Sequence, residues 1–292
     1  MSVFQGSAVA IVTPFKEGKV DYDSLGALLD WHVAEKTDAI VICGTTGEAS
    51  TLPDVEHLSV IDYAIKKINK RIPVIAGVGS NETQHGIHLS KEAEKLGADA
   101  LLHVTPYYNK ATKRGTIEHF TAIAESVNLP ILLYSVPGRT GMNLTPDLCA
   151  KLAEVKNIVG LKEASGNIAQ CAEIARVTSD DFDLYSGNDD MIVPLLSLGG
   201  AGVISVLANV APRDTHDMVM KFLDGDVKGA CKLQLDTLAL TNALFCEVNP
   251  VPVKAALWLM GKIEYEYRLP MCPMEDANLE RLRKEMQAYG LI

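Results

Sequence analysis

Eight short apolar runs recur along the chain, and they restrict its fold more than any other feature. They occupy 8–15, 39–44, 73–79, 100–106, 130–137, 157–163, 183–189 and 202–209. Each is rich in Val and Ile and nearly continuously apolar, without polar alternation, as expected of strands buried on both faces. The segments between them carry a helical period: Leu58, Ile61, Ile65 and Ile68 share one face, as do Ile117, Phe120, Ile123 and Val127. Thr145 followed by Pro146 reads as an N-cap with proline at the first helical position. Strand alternating with helix implies right-handed crossovers and a parallel sheet. Eight such units predict an α/β fold, a closed (β/α)8 TIM barrel. Beyond residue 210 the strand signal stops, and helices are expected at 213–224, 227–246, 251–260 and 276–289. The division expected is a barrel over 1–224 and a C-terminal helical extension over 225–292 packed on it.

Charge excludes several partners. With 37 acidic against 27 basic residues, the net charge is -10. Nucleic acid and anionic membranes need concentrated Lys and Arg. The basic stretches 66–71 and 109–114 are short and read as solvated faces. The six cysteines, at 43, 149, 171, 231, 246 and 272, form no C-x-x-C, and several lie among apolar neighbours. They read as reduced thiols of a cytoplasmic protein. The N-terminus lacks a basic start and an A-x-A cleavage site. Residues 191–212 carry no charge, but Pro194, Gly199, Gly200 and Gly202 would break a membrane-spanning helix. A soluble protein is expected.

Barrels of this kind build their sites at the C-terminal strand ends. Those ends supply "GTTGE" (44–48), "TPYYN" (105–109), Tyr134 with "PGRTG" (137–141), Lys162, "SGND" (186–189), and Ile204 with Ser205. No metal set stands among them. His103 lies within a strand, and His85 and His88 read as a surface pair. No G-x-S-x-G, Walker or dinucleotide signature occurs.

Lys162 ends the apolar run "NIVGLK". Alone, such a lysine would reach solvent. Here the neighbouring ends offer hydroxyls, and a desolvated amine without a countercharge has its pKa lowered toward neutrality. A neutral amine attacks carbonyl carbon and forms a Schiff base. Glu163, the next residue, is expected to point out of the lumen. Tyr134, on the adjacent strand, is either a core tyrosine or a proton shuttle for the imine. Thr45 and Thr46 form either a plain turn or a small-carboxylate site. Arg139 is either a solvated side chain or a bidentate carboxylate anchor.

Taken together, "GTTGEAST", "VTPYYNK", "YSVPGRTG", "GLKEASGN", "YSGND", "GVISVLANVAPR" and "NPVPVKAAL" resemble the dihydrodipicolinate synthase family of pyruvate-dependent Schiff-base aldolases, over nearly the whole chain. The resemblance implies a lyase that condenses pyruvate with L-aspartate 4-semialdehyde to give 4-hydroxy-tetrahydrodipicolinate, on the route to diaminopimelate and lysine. Lys162 would form the imine, and Tyr134, Thr45 and Tyr108 the proton relay, with Tyr108 reaching in from a neighbouring subunit. Thr46 would hold the pyruvate carboxylate and Arg139 that of the semialdehyde, while Gly187 and Ile204 line the pocket. No metal and no organic cofactor is implied, and the usual assembly is a homotetramer, a dimer of dimers. Arg139 disfavours sibling lyases of N-acetylneuraminate or deoxy sugar acids. Intact Lys162, Tyr134 and Thr45 disfavour a silent binding paralogue.

In lysine-inhibited relatives, an interface site matches Ala49, Ser50, Asp54, His57, Asn81, His85 and Tyr107. Asp54 stands for a usual His, and His85 for the Glu that pairs with the ligand ammonium, so weak or absent inhibition is expected. Ser135 replaces a frequent Asn and is expected to loosen the support of Tyr134. Ala111 replaces a frequent Pro and gives up some loop stiffness.

Overall fold

The computed structural model describes residues 2–292. Strand β1 (Gly6–Ala10) is followed by a hairpin of β2 (Phe15–Lys16) and β3 (Lys19–Val20). Then come β4 (Ala39–Ile42), β5 (Val74–Gly77), β6 (Ala100–Val104), β7 (Ile131–Ser135), β8 (Ile158–Glu163), β9 (Asp183–Ser186) and β10 (Gly202–Ser205). The helices are α1 (Tyr22–Ala34), α2 (Asp54–Ile68), α3 (Thr83–Leu96), α4 (Lys113–Glu125), the single turn α5 (Pro137–Thr140), α6 (Pro146–Leu152), α7 (Ile168–Val177), α8 (Ile192–Leu196) and α9 (Pro212–Leu223). Four more follow the last strand: α10 (Val227–Asp236), α11 (Leu238–Leu244), α12 (Val251–Leu259) and α13 (Asp276–Tyr289).

β1 and β4 to β10 form one closed parallel barrel, with β1 paired to both β10 and β4. Alternation along each strand makes two apolar layers. Ala8, Val41, Ile75, Leu102, Leu132, Tyr134, Tyr185 and Ile204 fill the lumen. Val9, Ile40, Ile42, Leu101, Leu133 and Leu161 face the helices. The eight-unit barrel and its C-terminal helices are as the periodicity predicts. No helix is long and apolar enough to cross a membrane.

Three local features differ from expectation. The run 8–15 is not one strand: the chain leaves the barrel after Ala10 and enters the hairpin, whose Glu17 and Gly18 both have positive φ. Two-residue turns of that type suit the twist of a tight hairpin. The helix expected over 227–246 is two, because Thr237 Oγ1 donates to the carbonyls of Leu233 (2.9 Å) and Gln234 (3.2 Å) and the chain turns there. On α2 the buried stripe is His57, Val60, Ile61, Ala64 and Ile68, so Leu58 and Ile65 sit at its edge.

Candidate active site

Lys162 stands on β8 between Tyr134 of β7 and Tyr185 of β9, its register partners on either side. All three point into the lumen. The lysine is 5% exposed, and its Nζ lies 4.4 Å from the centroid of the Tyr134 ring. Burial draws its pKa down to about 8, against the pull of Asp189, which favours the ammonium, and with a smaller push from Arg139. The expectation that no strand end offers a countercharge is therefore corrected. Asp189, the last residue of "SGND", is buried and accepts from the N–H groups of Val206 (3.0 Å) and Leu207 (2.9 Å). Burial raises the pKa of Asp189. Tyr185 had not been singled out. Its hydroxyl donates to Phe4 O (2.6 Å) and its ring stacks on Phe4 at 4.4 Å, which seals the lumen on the side where the chain enters.

Gly187 is required where it stands. A Cβ there would lie 2.7 Å from Ala164 Cβ, 3.0 Å from Glu163 O and 3.2 Å from Lys162 Cε. Ile204 is fully buried in the lumen layer. Glu163 points outward as expected, accepting from Gln170 Nε2 (3.0 Å) and the Ser165 N–H (3.2 Å). Ser135 joins the same outer network: its Oγ donates to Asn143 Oδ1 (3.3 Å) and accepts from the Leu144 N–H (3.1 Å). It faces away from Tyr134, so the expectation that it loosens that side chain is not met. His103 also points outward, its Nε2 3.1 Å from Ser90 Oγ, and burial pulls its pKa to about 3, so it is neutral.

After β4 the chain makes a tight turn over Gly44–Glu48. Thr46 is buried and its Oγ1 accepts from Asn249 Nδ2 at 2.9 Å. Burial raises the pKa of the Tyr134 phenol, and Arg139 and Thr45 pull the other way. Arg139 lies on α5, a helical turn where a loop was expected, which Thr140 Oγ1 ties down by donating to Val136 O at 3.2 Å. Its Nη2 donates to Asn249 O at 3.0 Å, and the guanidinium is otherwise exposed.

Thr45, Tyr134 and Arg139 line a cavity of about 410 Å³ together with Ala49, Ser50, Asp54, His57, His85 and Tyr107. Asn81 is next to it, donating to Tyr107 O at 3.2 Å. His85 is not a free surface residue: its Nδ1 is 3.0 Å from Ser80 Oγ and its Nε2 is 3.0 Å from Asp54 Oδ1. His88 is exposed. His57 Nε2 donates to Gly77 O (2.8 Å), and burial lowers its pKa. Tyr108 is set apart, 91% exposed and with φ of 71°. Among the described residues, no group of three or more His, Cys, Asp or Glu could hold a metal ion.

A buried amine beside a phenol, with hydroxyls and a guanidinium at the mouth, is equipped to capture a keto acid and relay its protons. A family model described as "Dihydrodipicolinate synthetase family" matches residues 3–289. The chain belongs to this family. A dihydrodipicolinate synthetase relative from Lachnoclostridium phytofermentans, 4-hydroxy-tetrahydrodipicolinate synthase, is 58% identical over 294 residues, covering 100% of both chains. The chloride-inhibited dihydrodipicolinate synthase from Acinetobacter baumannii, solved with pyruvate, superposes with a TM-score of 0.97 at 47% identity, over 99% of each chain. A monomeric dihydrodipicolinate synthase variant superposes with a TM-score of 0.98 at 41% identity, over 99% of this chain and 98% of the other. The family match runs through the C-terminal helices as well as the barrel. Asn249 and Lys254, which the sequence reading passed over, lie within it. Their signal is a lysine inside the otherwise apolar "VPVKAALWL".

Proposed function

We propose that this enzyme condenses pyruvate with L-aspartate 4-semialdehyde to 4-hydroxy-tetrahydrodipicolinate through an imine at Lys162. The observation that carries the reading is the amine at the C-terminal end of β8, 5% exposed and 4.4 Å from the centroid of the Tyr134 ring, where burial draws its pKa down to about 8. The neutral amine attacks the C2 carbonyl of pyruvate, and the carbinolamine loses water to give the imine. Tyr134, whose raised pKa keeps it a phenol, gives and takes back protons with Thr45. Loss of a methyl proton gives an enamine, whose carbon attacks the aldehyde. The substrate's own amino group then attacks the imine carbon, closing the ring and releasing Lys162. Thr46 receives the pyruvate carboxylate, Arg139 that of the semialdehyde, and Gly187 and Ile204 shape the pocket. The chemistry needs no metal or organic cofactor, since the imine is the electron sink.

The same reading extends to assembly and regulation. Tyr108, exposed on its own chain, completes the relay of a neighbouring subunit in a homotetramer built as a dimer of dimers. The enzyme acts in the cytoplasm. The residues matching the lysine site (Ala49, Ser50, His57, Asn81, His85 and Tyr107) surround the cavity, but Asp54 and His85 engage each other. Borohydride reduction in pyruvate, followed by peptide mass analysis, is expected to place the adduct on Lys162. Turnover with L-aspartate 4-semialdehyde, and none with N-acetylneuraminate or deoxy sugar acids, completes the test. An unmodified Lys162 would overturn the reading.

A further inference from the structure

The turn that carries Thr45 and Thr46 is gripped from outside the barrel. Glu48, which closes that turn, is a non-glycine residue in the left-handed region (φ 54°, ψ 35°). Its N–H donates to Thr45 O at 3.1 Å, and its own carbonyl accepts from the Thr51 N–H at 3.0 Å. A shift of Glu48 therefore pulls on Thr45 through its carbonyl. Its side chain is buried, and Oε1 accepts from Lys254 Nζ at 2.6 Å, the two side chains being 2% and 1% exposed. Lys254 is on α12, and its Nζ lies 4.3 Å from the centroid of Phe15 and 5.1 Å from that of Tyr267. Just ahead of α12, Asn249 grips the same loop through Thr46 and holds Arg139 through its backbone carbonyl.

We infer that Lys254, Glu48 and Asn249 are positioning residues, through which the C-terminal helices hold the Thr45–Thr46 turn in the shape that receives the keto-acid carboxylate. A buried ion pair is a poor means of gaining stability, because an apolar pair of similar volume does as well or better. What the pair adds is direction: a fixed bond between two elements far apart in sequence. Asn249 acts on the hydroxyl itself. Thr46 Oγ1 accepts the amide N–H with one lone pair, which leaves its own proton for an incoming carboxylate oxygen.

The inference rests on the reading of Thr46 as the pyruvate carboxylate site, and the test separates the two. Wild type, Asn249→Ala and the double variant Glu48→Met with Lys254→Met are compared as full-length enzymes. Borohydride-trapped adduct on Lys162 is titrated with pyruvate, alongside steady-state KM values for both substrates and the thermal midpoint. In Asn249→Ala the pyruvate half-saturation is expected to rise about tenfold. The semialdehyde KM should stay at the wild-type value, because Arg139 is held by a backbone carbonyl the substitution keeps. The double variant is expected to melt at or above the wild-type temperature and still show a pyruvate half-saturation raised about tenfold. Wild-type pyruvate saturation in Asn249→Ala, or in a stable double variant, overturns the inference. If the double variant does not fold, Asn249→Ala alone decides. No adduct in the wild type would instead remove the reading of the site.

Discussion

An ordinary lysine at pH 7 has fewer than about one neutral amine in a thousand. With its pKa drawn to about 8, Lys162 has roughly one in ten. The initial rate of trapped-adduct formation should therefore rise about tenfold from pH 6 to pH 7 and level off above about pH 8. Stability follows the same group with a definite sign. The folded pKa lies below the unfolded one, so the ammonium is disfavoured by folding; the penalty is full below about pH 8 and is relieved as pH rises toward about 10.4. Lys162→Met should abolish the adduct yet stabilise the fold by roughly 3 kcal/mol at pH 7. Denaturant unfolding of the two proteins at pH 7 and pH 10 checks this, the gain shrinking at the higher pH. Asp189 works the other way, favouring the ammonium. Asp189→Asn keeps an acceptor for Val206 and Leu207 but removes the charge, so the rising limb of the pH profile should move to lower pH. An unmoved limb would show that Asp189 has no hold on the amine. The lysine was legible in the sequence because an amine ends an apolar run among hydroxyls. The aspartate was not, because its charge acts on Lys162 only through the turn the chain makes after β9.

The elements divide along a similar line. All eight barrel strands were legible, since burial on both faces writes a continuous apolar run that a single sequence displays. The hairpin of β2 and β3 was not, because two-residue strands leave no period. The break at Thr237 was hidden as well, since it turns on one hydroxyl's bonds to the carbonyls of Leu233 and Gln234. Tight approach at strand ends was equally silent: nothing near Gly187 in the sequence says that Ala164 presses against it. Gly187→Ala would set a methyl group 2.7 Å from Ala164 Cβ and 3.2 Å from Lys162 Cε. Overpacking of this kind costs about 1–3 kcal/mol and pushes the loop after β9 away from β8. The variant should stay folded by circular dichroism while adduct formation slows by about tenfold or more. A wild-type rate would show that the loop yields without moving the lysine.

At the scale of the whole molecule, regulation and assembly both concern residues that one chain leaves open. In the cavity beside the site, Asp54 is the one lining carboxylate and His85 already takes its Oδ1, so the ammonium of a bound lysine would have to share that group. A lysine titration should give little inhibition below about a millimolar, a level at which a site with a dedicated anion would already respond. Tyr108 bears on assembly. It is 91% exposed with a left-handed backbone, and the Tyr107 carbonyl before it accepts from both the Asn109 N–H (2.8 Å) and Asn81 Nδ2 (3.2 Å). The loop thus holds a phenol away from its own Lys162. If that phenol serves the site of a symmetric partner, two dead variants should rescue one another. Tyr108→Phe keeps Lys162 and loses the donated phenol, whereas Lys162→Met keeps the phenol and loses the amine. Mixed at equal amounts and allowed to exchange, half the dimers are hybrids, and each hybrid has one complete site. Activity should then recover to about a quarter of wild type, the value random pairing across a two-fold interface dictates. Recovery rules out a relay confined to one chain. If the mixture stays as inactive as its parents although sedimentation shows exchanged hybrids, Tyr108 does not act across the interface.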